Sequence, residues 1–342
     1  MNLSNAAALL LGKGQPLQVQ PVDYISPEKN ELIVKNHAVA INPVDGSMQK
    51  LGNELFPWMK FPQISGSDVA GEVVEVGPGV TRFKPGDRVC GLAIGVPPPS
   101  GGKLSGAFQT FTLLKEVLTS HIPESLAFEN AVVTPLALST AACGLYQKDY
   151  LALVPPSLYP KPTGKCIVIW AGSSSVGSNA IQLAVASGYE VITTASPKNF
   201  EYTRKLGASH VFDYKSESVT KDIIALLKGK TIAGAVSIGQ GSVKACYEIL
   251  AHSEGNKFVA SAAPLTEELP SGLQSKFIFG SNLKDNEVGP MIWREFFPAA
   301  LERGKWSNVP GPEIVGQGLT SIQNAIDILS NGVSARKVVV KL

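Results

Sequence analysis

Cysteine is scarce in this chain: Cys90, Cys143, Cys166 and Cys246 are its four, far apart and without paired spacing. That excludes a disulfide framework and leads us to expect reduced, buried thiols in a cytosolic protein. Histidine is equally sparse, and none of His37, His121, His210 or His252 stands at ligand spacing from another His or Cys. Neither sign of charge dominates: 30 Lys and Arg face 28 Asp and Glu, a net charge of +2. So even a balance argues against nucleic acid or an anionic membrane as the main partner. No uninterrupted apolar run reaches the ~18 residues of a membrane span. The apolar stretch Ala6–Leu11 is too short for a secretory signal and has no cleavage-type ending.

What the chain does have is length, glycine and proline: 342 residues with Gly 33 and Pro 24, enough for two domains rich in strands and loops. Glu31–Ile41 and Val69–Val76 alternate as strands, and turns at Pro78-Gly79 and Lys84–Asp87 with a long loop at 97–102 predict a small barrel. The pattern turns helical over Ser125–Gln147, broken by Pro135, and Pro155–Pro162 is a proline-rich connector. Cys166–Trp170 is a continuous apolar run, as in a parallel strand covered on both faces. The helix after it sets Val176, Ala180, Leu183 and Ala184 on one face and stops at Gly188.

The alternation continues more faintly. Helices are expected at Thr203–Leu206, Asp222–Leu227 and Val243–Leu250, and strands at His210–Phe212, Gly234–Ile238, Lys257–Ala260 and Phe277–Phe279. That order predicts an α/β fold with a doubly wound parallel sheet. Helices at Trp293–Arg303 and Ser321–Ser330 precede a last strand, Arg336–Lys341, which returns to the N-terminal domain. The expected division is 1–147, 148–283 and 284–342, the first and last segments forming one domain.

Two segments carry the chemistry. Gly172-Ser173-Ser174-Ser175-Val176-Gly177 stands between strand and helix, where small residues let backbone N–H groups approach a pyrophosphate. Alone it would equally be a serine-capped helix start. With a strand before it and a helix and strand after, it reads as a dinucleotide turn. The second strand then ends in Ala195-Ser196-Pro197-Lys198-Asn199, with no Asp or Glu to hold a ribose 2′-hydroxyl. A hydroxyl, a cation and an amide suit a 2′-phosphate, and so NADP(H), although a solvated surface lysine would leave the same trace.

Further motifs are Ala40-Ile41-Asn42-Pro43-Val44-Asp45, Gly66-Ser67-Asp68-Val69-Ala70-Gly71 and Phe83–Val89. With them the chain resembles the medium-chain dehydrogenase/reductases, in their zinc-independent quinone reductase and enoyl reductase branch. It is most similar to fungal trans-acting enoyl reductases and zinc-binding dehydrogenase-like proteins. The resemblance runs from Asn42 to the closing Ser334–Val340. It implies a GroES-like β-barrel substrate domain, built from both termini, around a central Rossmann domain.

The resemblance also implies site roles. Asn42 and Asp45 belong beside nicotinamide and substrate, and Thr134 and Thr140 line the cleft between domains. Gly172, Ser173, Ser174, Ser175 and Val176 contact the phosphates, while Ser196, Lys198, Asn199 and Tyr214 surround the adenosine phosphate. Ile238 and Gly239 close over the adenine side, and Val333 and Ser334 approach the nicotinamide side. Zinc-using members carry Cys at the Asn42 position and Gly-His-Glu where this chain has Gly66-Ser67-Asp68. Asn and Ser are poor zinc ligands, and of the four-cysteine structural lobe only Cys90 lies near, so no metal is expected.

Without a metal the site cannot readily ionise an alcohol, but it can deliver hydride to an electron-poor C=C bond or quinone. Some enoyl reductases of this superfamily place a proton-donating Tyr between the Asn42-type and Gly66-type motifs; here Phe56, Trp58 and Phe61 stand there. Phe56 and Trp58 read as substrate-pocket aromatics or as core, and the donor is left to solvent, with Lys50 an outside candidate. The expectation is a cytoplasmic NADPH-dependent reductase of enones, enoyl groups or quinones, working as monomer or homodimer. The resemblance adds a polyketide synthase as partner. The alternatives are a zinc-type alcohol dehydrogenase and a non-catalytic NADPH-binding sensor or interaction protein.

Overall fold

The computed structural model describes residues 4–95 and 105–342, so the loop expected at 97–102 lies outside the described residues. By internal contacts the chain forms two units: Met1–Leu136, Trp293–Glu302 and Gly311–Leu342 make the first, Ala137–Ile292 and Arg303–Pro310 the second. Relative to the expected segments, residues 137–147 and 284–292 fall with the second unit, as do 303–310.

The first unit opens with strands β1 (Asn5–Leu10), β2 (Gln18–Val22) and β3 (Glu31–Ala40), then helix α1 (Pro43–Leu51). It continues through β4 (Gln63–Ile64), β5 (Asp68–Val76), β6 (Arg88–Leu92), β7 (Phe111–Lys115) and β8 (Thr119–His121). Pro135 does break the next helical stretch, into α2 (Phe128–Ala131) and α3 (Pro135–Tyr146).

The second unit carries β9 (Lys165–Ile169), α4 (Ser175–Ala186), β10 (Glu190–Ala195), α5 (Phe200–Lys205) and β11 (His210–Asp213). It goes on through α6 (Val219–Leu227), β12 (Thr231–Ser237), α7 (Ser242–Ala251), β13 (Glu254–Gly255), β14 (Phe258–Ser261) and β15 (Gln274–Phe277). The chain returns to the first unit with β16 (Pro312–Gln317), the helix Ile322–Ser330 and β17 (Lys337–Lys341).

The last expected strand of the second unit is corrected. It occupies Gln274–Phe277, and a 3₁₀ turn at Gly280–Asp285 comes after it. Its polar Gln274, Ser275 and Lys276 hid it from a hydrophobic reading. The expected helix Trp293–Arg303 is also irregular, with a π-turn over Met291–Phe296 before a short α-helix, Phe297–Glu302.

In the first unit one sheet runs β16-β17-β3-β5-β6-β8, with β7 also on β3, and a second runs β2-β1-β4. β3 is buried along almost its whole length because it has neighbours on both edges. Its register sets Ala40 opposite both Val339 of β17 and Asp68 of β5. Residues far apart in sequence therefore meet at one end of three adjacent strands. Leu32, Val34, Val69, Val338 and Val340 build the core with Ile322 and Ile326 of the covering helix.

The second unit's sheet is parallel throughout, ordered β11-β10-β9-β12-β14-β15 with β13 off β12. Counted from β9, leaving β13 aside, that is the doubly wound order in which the strand sequence reverses between β9 and β12, where ligands bind beyond the carboxyl ends. Val168, Ile192, Ile232, Val243, Ile249 and Val259 fill its core, and the four free cysteines are all buried. Burial pushes the Cys246 thiol up to about 12, which makes it a packing group rather than a nucleophile.

Central strand β12 carries a register shift against β9 between Ile232 and Ala235. Gly234 sits there at φ +115, and a Cβ would lie 2.3 Å from Leu151 Cδ2 and 2.8 Å from the Phe258 carbonyl oxygen. Only glycine fits such a bulge. Gly234→Ala is expected to destabilise the protein by about 2–4 kcal/mol, from combined backbone strain and overpacking. Urea denaturation checks this; an unchanged midpoint would contradict the reading.

Candidate functional site

In the second unit most of the candidate residues lie just beyond the carboxyl ends of β9, β10, β11 and β12. After β9 the chain turns through Ala171, at φ +62, a conformation costing a non-glycine residue about 1–2 kcal/mol. Two hydrogen bonds to β10 hold it: Ala171 N–H donates to Thr194 Oγ1 at 2.9 Å and Gly172 N–H to the Thr194 carbonyl at 2.8 Å. Gly177 passes so near that a Cβ would stand 2.3 Å from the Ala171 carbonyl oxygen. The turn thus feeds directly into α4, whose first N–H groups lack helical partners and suit an anion.

Among the serines, Ser174 caps α4. Its hydroxyl donates to the Ala171 carbonyl at 2.7 Å and accepts from Gly177 N–H at 3.1 Å. Its side chain is spent inside the turn. Ser173 Oγ accepts from Asn199 Nδ2 at 3.4 Å, tying the turn to the end of β10. In the parallel register Ala195 pairs with Asp213, which brings Ser196 and Tyr214 to neighbouring strand ends. Lys198 is exposed and makes no ion pair among the described residues, and Tyr214 is also exposed.

Ile238 and Gly239 come directly after β12, where the Gly239 carbonyl accepts from Ser242 Oγ at 2.6 Å. Thr140, on α3, packs against Gly280, where a Cβ would lie 3.0 Å from its Oγ1. Tyr202 and Ser178 escaped the sequence reading. Their hydroxyls lie 2.8 Å apart, and Ser178 Oγ donates to the Gly172 carbonyl at 3.1 Å, bracing the turn from beneath.

In the first unit Asn42 and Asp45 belong to a buried polar cluster. Asn42 precedes α1, and the Asp45 carboxylate reaches back to accept from Asn42 N–H at 2.7 Å and from Gly66 N–H at 3.2 Å. Asn42 Nδ2 donates to Asp68 Oδ2 at 2.7 Å. Lys337 completes the group, its Nζ 2.8 Å from Asp68 Oδ2 and donating to Asn42 Oδ1 at 2.5 Å. The other Asp68 oxygen accepts from Leu136 N–H at 2.6 Å. Side-chain exposure is 3% for Lys337 and 0% for Asp68. Charges so deep persist only when paired and fully hydrogen-bonded.

Sequence reasoning passed over Lys337. The available signal was a lysine opening the apolar run Val338–Val340, because buried lysines are almost always paired. Burial dominates at Asp45: with Asp68 nearby it outweighs the two N–H groups and Lys337, and the carboxyl is pushed up to about 7.

The remaining candidates in this unit lie apart from the cluster's hydrogen bonds. Phe56 is buried and Trp58 half-buried, their ring centroids 5.7 Å apart, and Thr134 is fully buried. Val333 and Ser334 lie in the turn before β17, and Lys50 is exposed on α1. Each histidine has a local partner: His37 stacks on Phe128, His121 packs on Phe83, His210 meets Glu190, and His252 bonds the Glu248 carbonyl. Among the described residues no three His, Cys, Asp or Glu side chains gather to hold a metal, and no helix is long and apolar enough to cross a membrane.

The family model described as the alcohol dehydrogenase GroES-like domain matches residues 28–124, and the one described as zinc-binding dehydrogenase matches 175–295. The dehydrogenase pigH of Monascus ruber is 48% identical, over 99% of this chain and 100% of its own. The trans-enoyl reductase himH of Aspergillus japonicus is 40% identical, over 99% of this chain and 98% of its own. The crystal structure of CurK enoyl reductase superposes with a TM-score of 0.78 at 21% identity, covering 98% of this chain and 99% of that one.

The raised Asp45 carboxyl has a pH signature. From its ordinary 3.8 to about 7 the folded protein keeps a proton that the unfolded chain releases. The fold therefore loses stability relative to the unfolded chain as pH rises through that window, and no more above it. Unfolding free energies of wild type minus Asp45→Asn, measured by guanidinium titration across pH 4 to 7.5, should decline with pH. A flat difference would contradict the assignment.

Proposed function

The chain belongs to the medium-chain dehydrogenase/reductase family, and from that premise we propose that it is an NADPH-dependent, zinc-independent reductase of activated C=C bonds or quinones. One observation carries the metal-free reading: the Lys337 ammonium lies among Asn42 and Asp68. The Asn42 position is one where the zinc-using relatives invoked by the sequence resemblance carry a cysteine ligand. A fixed positive charge there repels a divalent cation, and Asn42 Oδ1 and Asp68 are already engaged.

The second unit's residues fit a dinucleotide. The close-packed turn at Gly172–Gly177 leaves the α4 N–H groups for the pyrophosphate, and Ser173 and Asn199 brace the strand ends around it. Ser196, Lys198, Asn199 and Tyr214 offer hydroxyls, a cation and an amide for a 2′-phosphate, with no carboxylate at the end of β10 to repel it. When bound, NADPH supplies a hydride to the electron-poor β-carbon of the acceptor.

On the first unit, Asn42 takes the acceptor's carbonyl oxygen. The C=C electron pair moves toward that oxygen as the new C–H bond forms, and an amide N–H stabilises the charge it gains. A solvent proton then closes on the α-carbon, since no tyrosine stands between Asn42 and Gly66. Phe56 and Trp58 provide apolar surface for the acceptor chain. The likeness to a trans-enoyl reductase, himH, supports an enoyl substrate, and the sequence resemblance adds a polyketide synthase as the partner that would present it.

The test is NADPH and NADH oxidation against a panel of enones, enoyl thioesters and quinones. Turnover with NADPH is expected; tight NADPH binding without turnover on any acceptor would overturn the enzyme reading. Lys198→Ala should weaken NADPH binding by roughly 10- to 100-fold, the worth of a charge-assisted hydrogen bond, and barely change NADH. Equal losses for both cofactors would remove Lys198 from the phosphate site.

A further inference from the structure

We infer that Lys337 is a positioning residue for reduction, acting through Asn42 to strengthen the N–H donor that faces the acceptor's developing oxyanion. The inference rests on the proposed reductase activity and on the geometry of the buried cluster. An asparagine amide has two N–H donors and one carbonyl oxygen. In Asn42 the oxygen accepts from the Lys337 ammonium at 2.5 Å and one N–H donates to Asp68 at 2.7 Å. The second N–H makes no hydrogen bond among the described residues, although Asn42 is only 4% exposed.

That arrangement acts on the amide in two ways. The ammonium on one end and the carboxylate on the other allow a single orientation, since a flip would set NH₂ against NH₃⁺ and C=O against the carboxylate. The ammonium also draws electron density from the carbonyl, and resonance passes that withdrawal to the nitrogen, so the remaining N–H donates more strongly. Preoriented, polarised donors are what a metal-free site needs to stabilise an enolate oxygen. Asp68 keeps the ammonium buried without leaving it uncompensated, and Leu136 N–H satisfies the far carboxylate oxygen. A solely structural ion pair would need no amide between its partners.

The experiment compares wild type with Lys337→Met and with Lys337→Met/Asp68→Asn. The double variant leaves no unpaired buried charge and keeps the test alive if the single variant fails to fold. Single-turnover NADPH oxidation is followed with para-substituted aryl enones. Slowing by roughly 10- to 100-fold is expected for the least activated enone, shrinking as the substituent withdraws more charge, with the NADPH Kd unchanged. A loss of equal size across the series would overturn the proposal.

A second readout needs no turnover: the ionisation of bound 4-nitrophenol, followed by absorbance in the presence of NADP⁺. Wild type should favour the phenolate and both variants should lose that preference; an identical bound ionisation in all three proteins overturns the role of Lys337. Wild type inactive on every acceptor would instead sink the reductase reading, and the phenol measurement would still decide on Lys337.

Discussion

The ion pair between Lys337 and Asp68 is the constraint on which the first unit's buried polar cluster depends. Neither charge is tolerable alone at that depth, and removing one partner of such a pair costs about 3–5 kcal/mol. Their pairing therefore fixes how the ends of β17, β3 and β5 align, and that alignment matches the backbone register through Ala40. Asn42 is caught between the two charges by hydrogen bonds at both ends of its amide. Only one orientation of the amide satisfies both charges.

Asp45 extends the same logic one step further. Its carboxylate links the backbone of Asn42 to that of Gly66, so the start of α1 and the segment entering β5 are held together. The cost appears in its raised affinity for protons, because two N–H groups and a nearby ammonium do not fully replace water. The second unit uses milder means. Hydroxyls of Ser174, Ser178, Thr194 and Tyr202 brace the turn before α4 and hold Ala171 in its left-handed conformation. The turn is braced there by neutral hydroxyls, without a charged side chain among these bonds.

Much of the fold is legible in the chain itself. The run Cys166–Trp170, the small-residue turn and the helix after it announce a dinucleotide fold through local periodicity, and local periodicity is what one sequence displays best. Lys337 is less legible. In sequence it is one of many lysines, and its importance comes from partners 295 and 269 residues away. Strand β15 is misplaced by a hydrophobic reading for a related reason: it lies at the sheet's edge, where polar side chains are tolerated and the apolar signal fades.

Taken by itself, the sequence determined the parallel sheet, the family resemblance, and which residue types stand at the candidate site. Each depends on short-range pattern or on chemistry that a side chain carries wherever it sits. Tertiary structure alone decided that Asn42, Asp68 and Lys337 share one buried cluster, which way the Asn42 amide points, and how strongly Asp45 holds its proton. Those properties arise from burial and from neighbours distant in sequence, and both exist only once the strands have paired.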